Sequence, residues 1–228
     1  MRLGLGLGIG SHASGAGGGT SVQRYFTTVA AAGLQYWSMD SAVTITGDFI
    51  YEFIFATGTT SNQVIISDES STDFIQIRTL GTELTLRIGG VTSTFATGLI
   101  ADNKLHTAIF TIVGTNCTLN LDGSDVSTLT CGVGATFEQI GRLGSGAGSQ
   151  YFNGIIANMK ITDAGTPIHE WKLDETDPSS AVDSIGSNDL TGNGLTSADA
   201  ENFTFDGSVS PNTWTNDDET RVIEVAGT

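Results

Sequence analysis

Residues 83–96 constrain the fold of this chain more than any other segment. Leu84, Leu86 and Ile88 alternate with Thr85 and Arg87, Gly89-Gly90 interrupts, and Val91, Ser93 and Phe95 return on one face. Period-two alternation sends successive side chains to opposite faces of a strand, and a two-residue glycine turn supplies the positive φ angles of a tight hairpin. The same pattern recurs along the chain. A strand signal begins near Tyr25, and others stand at 49–55, 63–67, 74–80, 106–113, 117–121, 126–131, 137–140, 152–161, 168–173, 203–205 and 221–225. About a dozen short strands at this spacing specify an all-β sandwich. Helical periodicity is confined to one turn near Asp199-Ala200-Glu201, while 176–197 and 208–220 read as polar loops. No repeat at a solenoid or propeller period is present.

At 228 residues the chain is long enough for one large sandwich. We divide it into an arm and linker over 1–21 and a sandwich over 22–228. In the arm Leu3, Leu5, Leu7 and Ile9 alternate with Gly4, Gly6, Gly8 and Gly10. Such a segment suits an extended strand with one apolar face, and the glycines let a second backbone approach closely. Residues 11–21 are almost wholly Gly, Ala, Ser and Thr, as in a flexible linker. Two readings compete: an unstructured tail, and an arm that adds to a partner's sheet.

Charge excludes several functions. Nine basic residues against 25 acidic ones give a net charge of −16, which opposes binding to nucleic acid or to an anionic membrane. No apolar run approaches the roughly 18 residues of a membrane span. Met1-Arg2 is followed by Leu-Gly alternation rather than a helical apolar core, so no cleaved secretory signal is expected.

Five motifs appear in a recognisable order between residues 35 and 175. They begin with Gln35-Tyr-Trp-Ser-Met-Asp before the aromatic segment 49–55, then the pair 74–80 and 84–88. Lys104-Leu-His-Thr-Ala-Ile-Phe and Leu119-Asn-Leu-Asp-Gly follow. Last comes Ile140-Gly-Arg-Leu-Gly with Tyr151-Phe-Asn-Gly-Ile-Ile-Ala-Asn-Met-Lys-Ile, in which Gly154 lets the chain bend or a neighbour pack close. Together they resemble the concanavalin A-like (laminin G-like) family. The resemblance implies a two-sheet antiparallel jelly-roll sandwich, here with an extended N-terminal arm, whose opening motif is an edge segment. Residues 169–175 and 181–190 also resemble a laminin G-like element, though that one commonly stands near the domain's start.

Such a domain behind a short Leu-Gly-rich start is similar to small virion proteins of tailed bacteriophages. That similarity implies a non-enzymatic structural protein, of capsid-decoration or fibre type, assembled in the host cytoplasm and located in the virion. Its arm would dock on other virion proteins, and the chain would form a homo-oligomer, with a trimer as one arrangement. The alternative is a carbohydrate- or receptor-binding module of a tail fibre or a secreted bacterial protein, its partner a host-surface glycan.

Candidate chemistry is sparse. Some sandwiches of this shape are glucanases, and Glu170 and Asp174 have the i, i+4 spacing that puts two carboxylates on one strand face. They lack the Glu-x-Asp-x-x-Glu pattern of those enzymes, and the three tryptophans at 37, 171 and 214 do not flank a cleft in sequence. No catalytic residue is expected. His12, His106 and His169 stand in unrelated contexts, without the pattern of a triad or a zinc site, and His106 reads as structural. Asp122 with Asp125, or the run 217–219, offers oxygens for calcium, but solvated acidic turns explain them as well, so no cofactor is expected. A hairpin about 122–125 sets Leu121 near Val126 and Cys117 opposite Thr130 or Cys131. A cross-strand disulfide and two buried thiols both fit, the thiols better in a cytoplasmically assembled protein. Aromatic contacts to sugar or to a second subunit could come from Tyr36, Trp37, Tyr151 or Trp214, with Trp214 and Tyr151 the candidates carried forward. Trp171, alternating with Leu173, reads as core.

Overall fold

The computed structural model describes residues 21–28, 35–102, 104–144, 150–173, 177, 179–195, 200–205, 213–215 and 220–222. Two antiparallel sheets face each other. The first runs β10 (Ser124–Thr130), β9 (Asn116–Leu121), β8 (His106–Val113), β3 (Phe49–Ala56), β12 (Gly154–Asp163), β1 (Ser21–Thr28) and β16 (Ala200–Phe205). In it β13 (Thr166–Trp171) pairs the second half of β12. The second sheet runs β14 (Ser180–Ala181), β15 (Leu190–Asn193), β2 (Tyr36–Ile45), β11 (Ala135–Ile140), β4 (Gln63–Ser67), β5 (Phe74–Arg78), β6 (Glu83–Ile88) and β7 (Val91–Ala96). β17 (Thr213–Thr215) and β18 (Thr220–Val222) form a separate hairpin.

Alternation builds the core. Tyr51, Phe53 and Phe55 of β3 and Ala108, Phe110 and Ile112 of β8 are buried against Ile75, Ile77, Leu84, Leu86, Phe95 and Phe137 of the other sheet. Aromatic pairs join the layers: Tyr51 stacks on Phe137 at 5.8 Å, and Phe95 meets Phe110 edge-on at 5.6 Å. The sheets are also tied at both sides. Ser93 on β7 donates to the Thr130 carbonyl on β10, and a bridge pairs Trp171 with Asp183. The glycine hairpin forms as expected, with Ile88 opposite Val91 and φ of +55° and +80° at Gly89 and Gly90.

Several expectations are corrected. The segment at 35–40 opens β2, which is no edge: it pairs with β15 on one side and β11 on the other. The partner β15 comes from 176–197, expected as loop, which holds β14 and β15. With only Ala181 and Leu190 buried in them, strands of two and four residues are too short to show a period. Ala200 starts a strand rather than continuing a helical turn. Trp214 lies in β17, opposite Arg221, instead of in a loop. The strand expected over 74–80 stops at Arg78, because Thr79 and Leu80 take positive φ and turn the chain.

The cysteine register also differs. Asp122-Gly123 alone makes the turn, with φ of +52° and +81°, so Leu121 faces Ser124. A bulge at Val126 then places Leu129, not Thr130 or Cys131, opposite Cys117. Cys117 and Cys131 are both buried free thiols. Burial pushes both thiol pKa values up, which keeps them protonated and unreactive.

Candidate functional site

The outer face of the second sheet carries a half-buried group of aromatic, basic and amide side chains. On β2 the pleat sends Trp37 and Met39 inward and Tyr36 and Ser38 outward. Across the ladder Tyr36 faces Asn193 and Ser38 faces Thr191. Asn193 donates its amide to Ser38 Oγ at 3.1 Å.

The chain after β11 completes the group. Gly141 takes φ of +81°; its N–H donates to the Ile65 carbonyl and its own carbonyl accepts from Phe152 N–H, both at 2.8 Å. The reversal pairs Arg142 with Tyr151 across an antiparallel bridge. Phe152 is buried in the core, so its neighbour Tyr151 stands on the outer side with Arg142. The Arg142 guanidinium lies over the Tyr36 ring, 4.5 Å from its centroid, a cation–π contact that orients the planar fork. Tyr36, Arg142 and Tyr151 are each half-buried.

The described residues flanking 145–149 are fastened from several directions. Ser67 Oγ donates to the Arg142 carbonyl at 2.6 Å, Leu143 N–H donates to the Gln150 carbonyl at 2.8 Å, and the Gln76 and Gln150 amides are hydrogen-bonded. At Gly144 a Cβ would collide with Ser71, so the chain there lies directly against the β4–β5 connection. The Arg142 Nε is buried and has no acceptor among the described residues. The result is a fixed platform: two tyrosine rings, one guanidinium and flanking amides and hydroxyls.

His106 and His169 belong to other structures, and His12 lies outside the described residues. His106 Nδ1 lies 2.8 Å from Asp122 Oδ2 and its Nε2 lies 3.1 Å from Asp102 Oδ1. Asp122 Oδ1 also accepts from Thr107 N–H at 2.8 Å, and Lys104 Nζ stands 3.6 Å from Asp102. Burial alone lowers the pKa of His106, but the hydrogen bonds and charge of Asp122 and then Asp102 outweigh it and raise the value. Burial likewise pushes Asp122 up, and the His106 and Thr107 bonds bring it net below the ordinary carboxylate range. Asp183 is fully buried and accepts from the His169 ring at 2.5 Å and from the N–H groups of Glu170, Ile185, Gly186 and Asn188. His169 in turn stacks on Trp171 at 5.3 Å. Both clusters pin loops to strands.

The other expected residues scatter. Asp125 accepts from Asn120 Nδ2 at 2.8 Å, apart from the His106 bonds of Asp122. Among the described residues no group of three His, Cys, Asp or Glu side chains is placed to hold a metal. Glu170 accepts from Ser184 Oγ at 2.8 Å, and β13 ends at Trp171. Asp174 lies outside the described residues, as do Leu3, Leu5, Leu7 and Ile9 and the run 217–219. Trp171 and Leu173 are core. Tyr36 and Tyr151, two of the four aromatics the sequence offers for a sugar contact, lie on either side of Arg142. The sequence motifs do not single out Arg142 as a site residue, although a signal marks it: residues 139–162 contain no Asp or Glu in a chain that has 25.

No family model and no curated protein matches the sequence. Solved structures are similar in fold. A Bacteroides ovatus protein, provisionally named a carbohydrate binding protein, is 16% identical with a TM-score of 0.56, over 80% of this chain and 61% of that one. This chain thus corresponds to about three fifths of the length of that protein. A heptameric SAP-like pentraxin from Limulus polyphemus is 11% identical with a TM-score of 0.50, over 62% of this chain and 76% of that one. Domains LG4-5 of the mouse laminin alpha1 chain are 15% identical with a TM-score of 0.48, over 76% of this chain and 46% of that one. The described chain has the concanavalin A-like, laminin G-like jelly-roll fold.

Proposed function

We propose that this protein is a non-enzymatic carbohydrate-binding module whose ligand lies on the Tyr36–Arg142–Tyr151 platform. The observation that carries the reading is the guanidinium held on the Tyr36 ring beside Tyr151, half-exposed on an otherwise polar sheet face. Sugar rings present C–H faces that pack on aromatic rings, and their hydroxyls bond to amides and guanidinium donors in fixed positions. The Bacteroides ovatus neighbour is provisionally named for the same class of ligand. A glycan array with the wild type, Tyr36→Ala, Tyr151→Ala and Trp214→Ala tests the site. We expect specific glycans to be bound, with at least about a tenfold loss for the two tyrosine variants, as follows from roughly 1.4 kcal/mol per stacked ring. Loss confined to Trp214→Ala would move the site to the β17–β18 hairpin. No glycan bound by the wild type would overturn the reading.

A second reading concerns where the module is displayed. The Leu3-Leu5-Leu7-Ile9 alternation and the linker behind it fit an arm that docks on other virion proteins of a bacteriophage, with the sandwich projecting as a homo-oligomer. Removing residues 2–20 would then abolish incorporation into particles; normal incorporation sinks it.

A further inference from the structure

The geometry points to a carboxylated sugar as the ligand of the platform, its carboxylate paired with Arg142. This inference rests on the carbohydrate reading above and names the chemical class within it. Arginine carries five N–H donors and no acceptor. In this structure its Nε is enclosed without an acceptor, and no carboxylate lies within ion-pair distance of Arg142 among the described residues. The Nε is closed to solvent, as is that of Arg87, so a ligand carboxylate meets the terminal Nη donors of this half-buried side chain.

Local sequence leaves that role open to a ligand. From Gln139 to Thr162 the chain has no acidic residue, and residues 145–149 are Ser, Gly and Ala only. In sequence the cation therefore stands in an acid-free stretch of a protein of net charge −16. The Tyr36 ring, 4.5 Å from the guanidinium carbon, holds the fork in place, and a planar guanidinium suits the planar, two-oxygen edge of a carboxylate. One guanidinium among amides matches one negative charge. A densely sulfated or phosphorylated chain would need several cations and would be repelled by the rest of the surface. A carboxylate bound edge-on to Arg142 leaves the attached pyranose ring beside Tyr151, across the bridge.

Isothermal titration of the full chain tests this with matched probes. One pair is sialyllactose and lactose; the other is tetragalacturonate and its carboxyl-reduced neutral counterpart. We expect at least one acidic probe to bind about tenfold or more tightly than its neutral partner, as one charge-assisted contact provides. The pair that shows the difference identifies the source as a sialic or a uronic acid. Methyl-esterifying the bound acid should remove the preference without altering the protein. Arg142→Gln should equalise acidic and neutral probes, and Arg142→Lys should keep only a small preference. Arg78→Gln, an exposed charge removed elsewhere, should change nothing. Equal binding within both pairs, still weakened by Tyr151→Ala, would overturn the carboxylate and leave the sugar reading intact. If the array shows only neutral glycans and neither acidic probe binds, the inference is likewise overturned. If no glycan binds at all, both fall.

Discussion

His106 is the first residue of β8, and its buried ring sits between two carboxylates from different loops. Both ring nitrogens can donate at once only in the imidazolium. Burial disfavours that cation, but Asp122 and Asp102 outweigh it, so the folded pKa is raised. The stabilisation is therefore complete below the ordinary value of about 6.5 and is lost as pH rises through the folded value. Asp122, net lowered, contributes above its ordinary value of about 3.9 and loses that contribution as pH falls through the lowered one. The clasp is thus strongest between those limits. We expect His106→Gln to cost about 1–2 kcal/mol at pH 5.5 and clearly less at pH 9, the size of charged hydrogen bonds partly screened at a rim. Urea unfolding at the two pH values checks it, and an equal loss at both would show that the ring acts by packing alone.

β12 shows how one element can serve two neighbours. Its first half pairs with β1 and its second with β13, while β3 runs along the whole of its other side. The change of partner falls at Asn158, which takes φ of +48° where the register with β3 shifts. Such a bulge re-aims the strand without breaking the sheet. Gly154 begins the strand at φ of +154°, and a Cβ there would collide with the Ala56 carbonyl oxygen on β3. Its motif is compatible with two uses for this glycine, a bend or a close neighbour, and both apply. Gly154→Ala should destabilise by about 2–3 kcal/mol through strain and displaced pairing, seen as a lower denaturation midpoint with an unchanged m-value. A loss below about 0.5 kcal/mol, the range of neutral surface changes, would mean that β3 yields easily.

At the scale of the molecule, stability and display should separate. The layers are joined by aromatic pairs and by the ties from Ser93 to Thr130 and from Trp171 to Asp183. Those contacts all lie between residues 51 and 183, outside the 2–20 segment. The 2–20 deletion that tests docking should therefore melt within about 2 °C of the full chain, well under the 2–4 °C that a single kcal/mol produces at this size. A larger drop would place the arm within the fold and undercut its reading as a docking element.

Two-residue periodicity and turn chemistry are local, so the chain itself announced most strands, the glycine hairpin and the alternating core face of β6. Those features need only neighbours in sequence. β14 and β15 were hidden because they are too short to carry a period and exist through pairing with β2. The cysteine register depended on one bulge, since a single extra residue shifts every later partner. The platform was legible only in pieces. Tyr36 and Tyr151 could be named as exposed aromatics, but they are 115 positions apart in sequence (151 − 36). Only the ladder of β2 with β11 and the reversal at Gly141 place Tyr36 under the Arg142 guanidinium and Tyr151 across the bridge from Arg142. Composition and local pattern thus determine the architecture, while the grouping of side chains on its surface is decided by long-range strand pairing, which no local signal encodes.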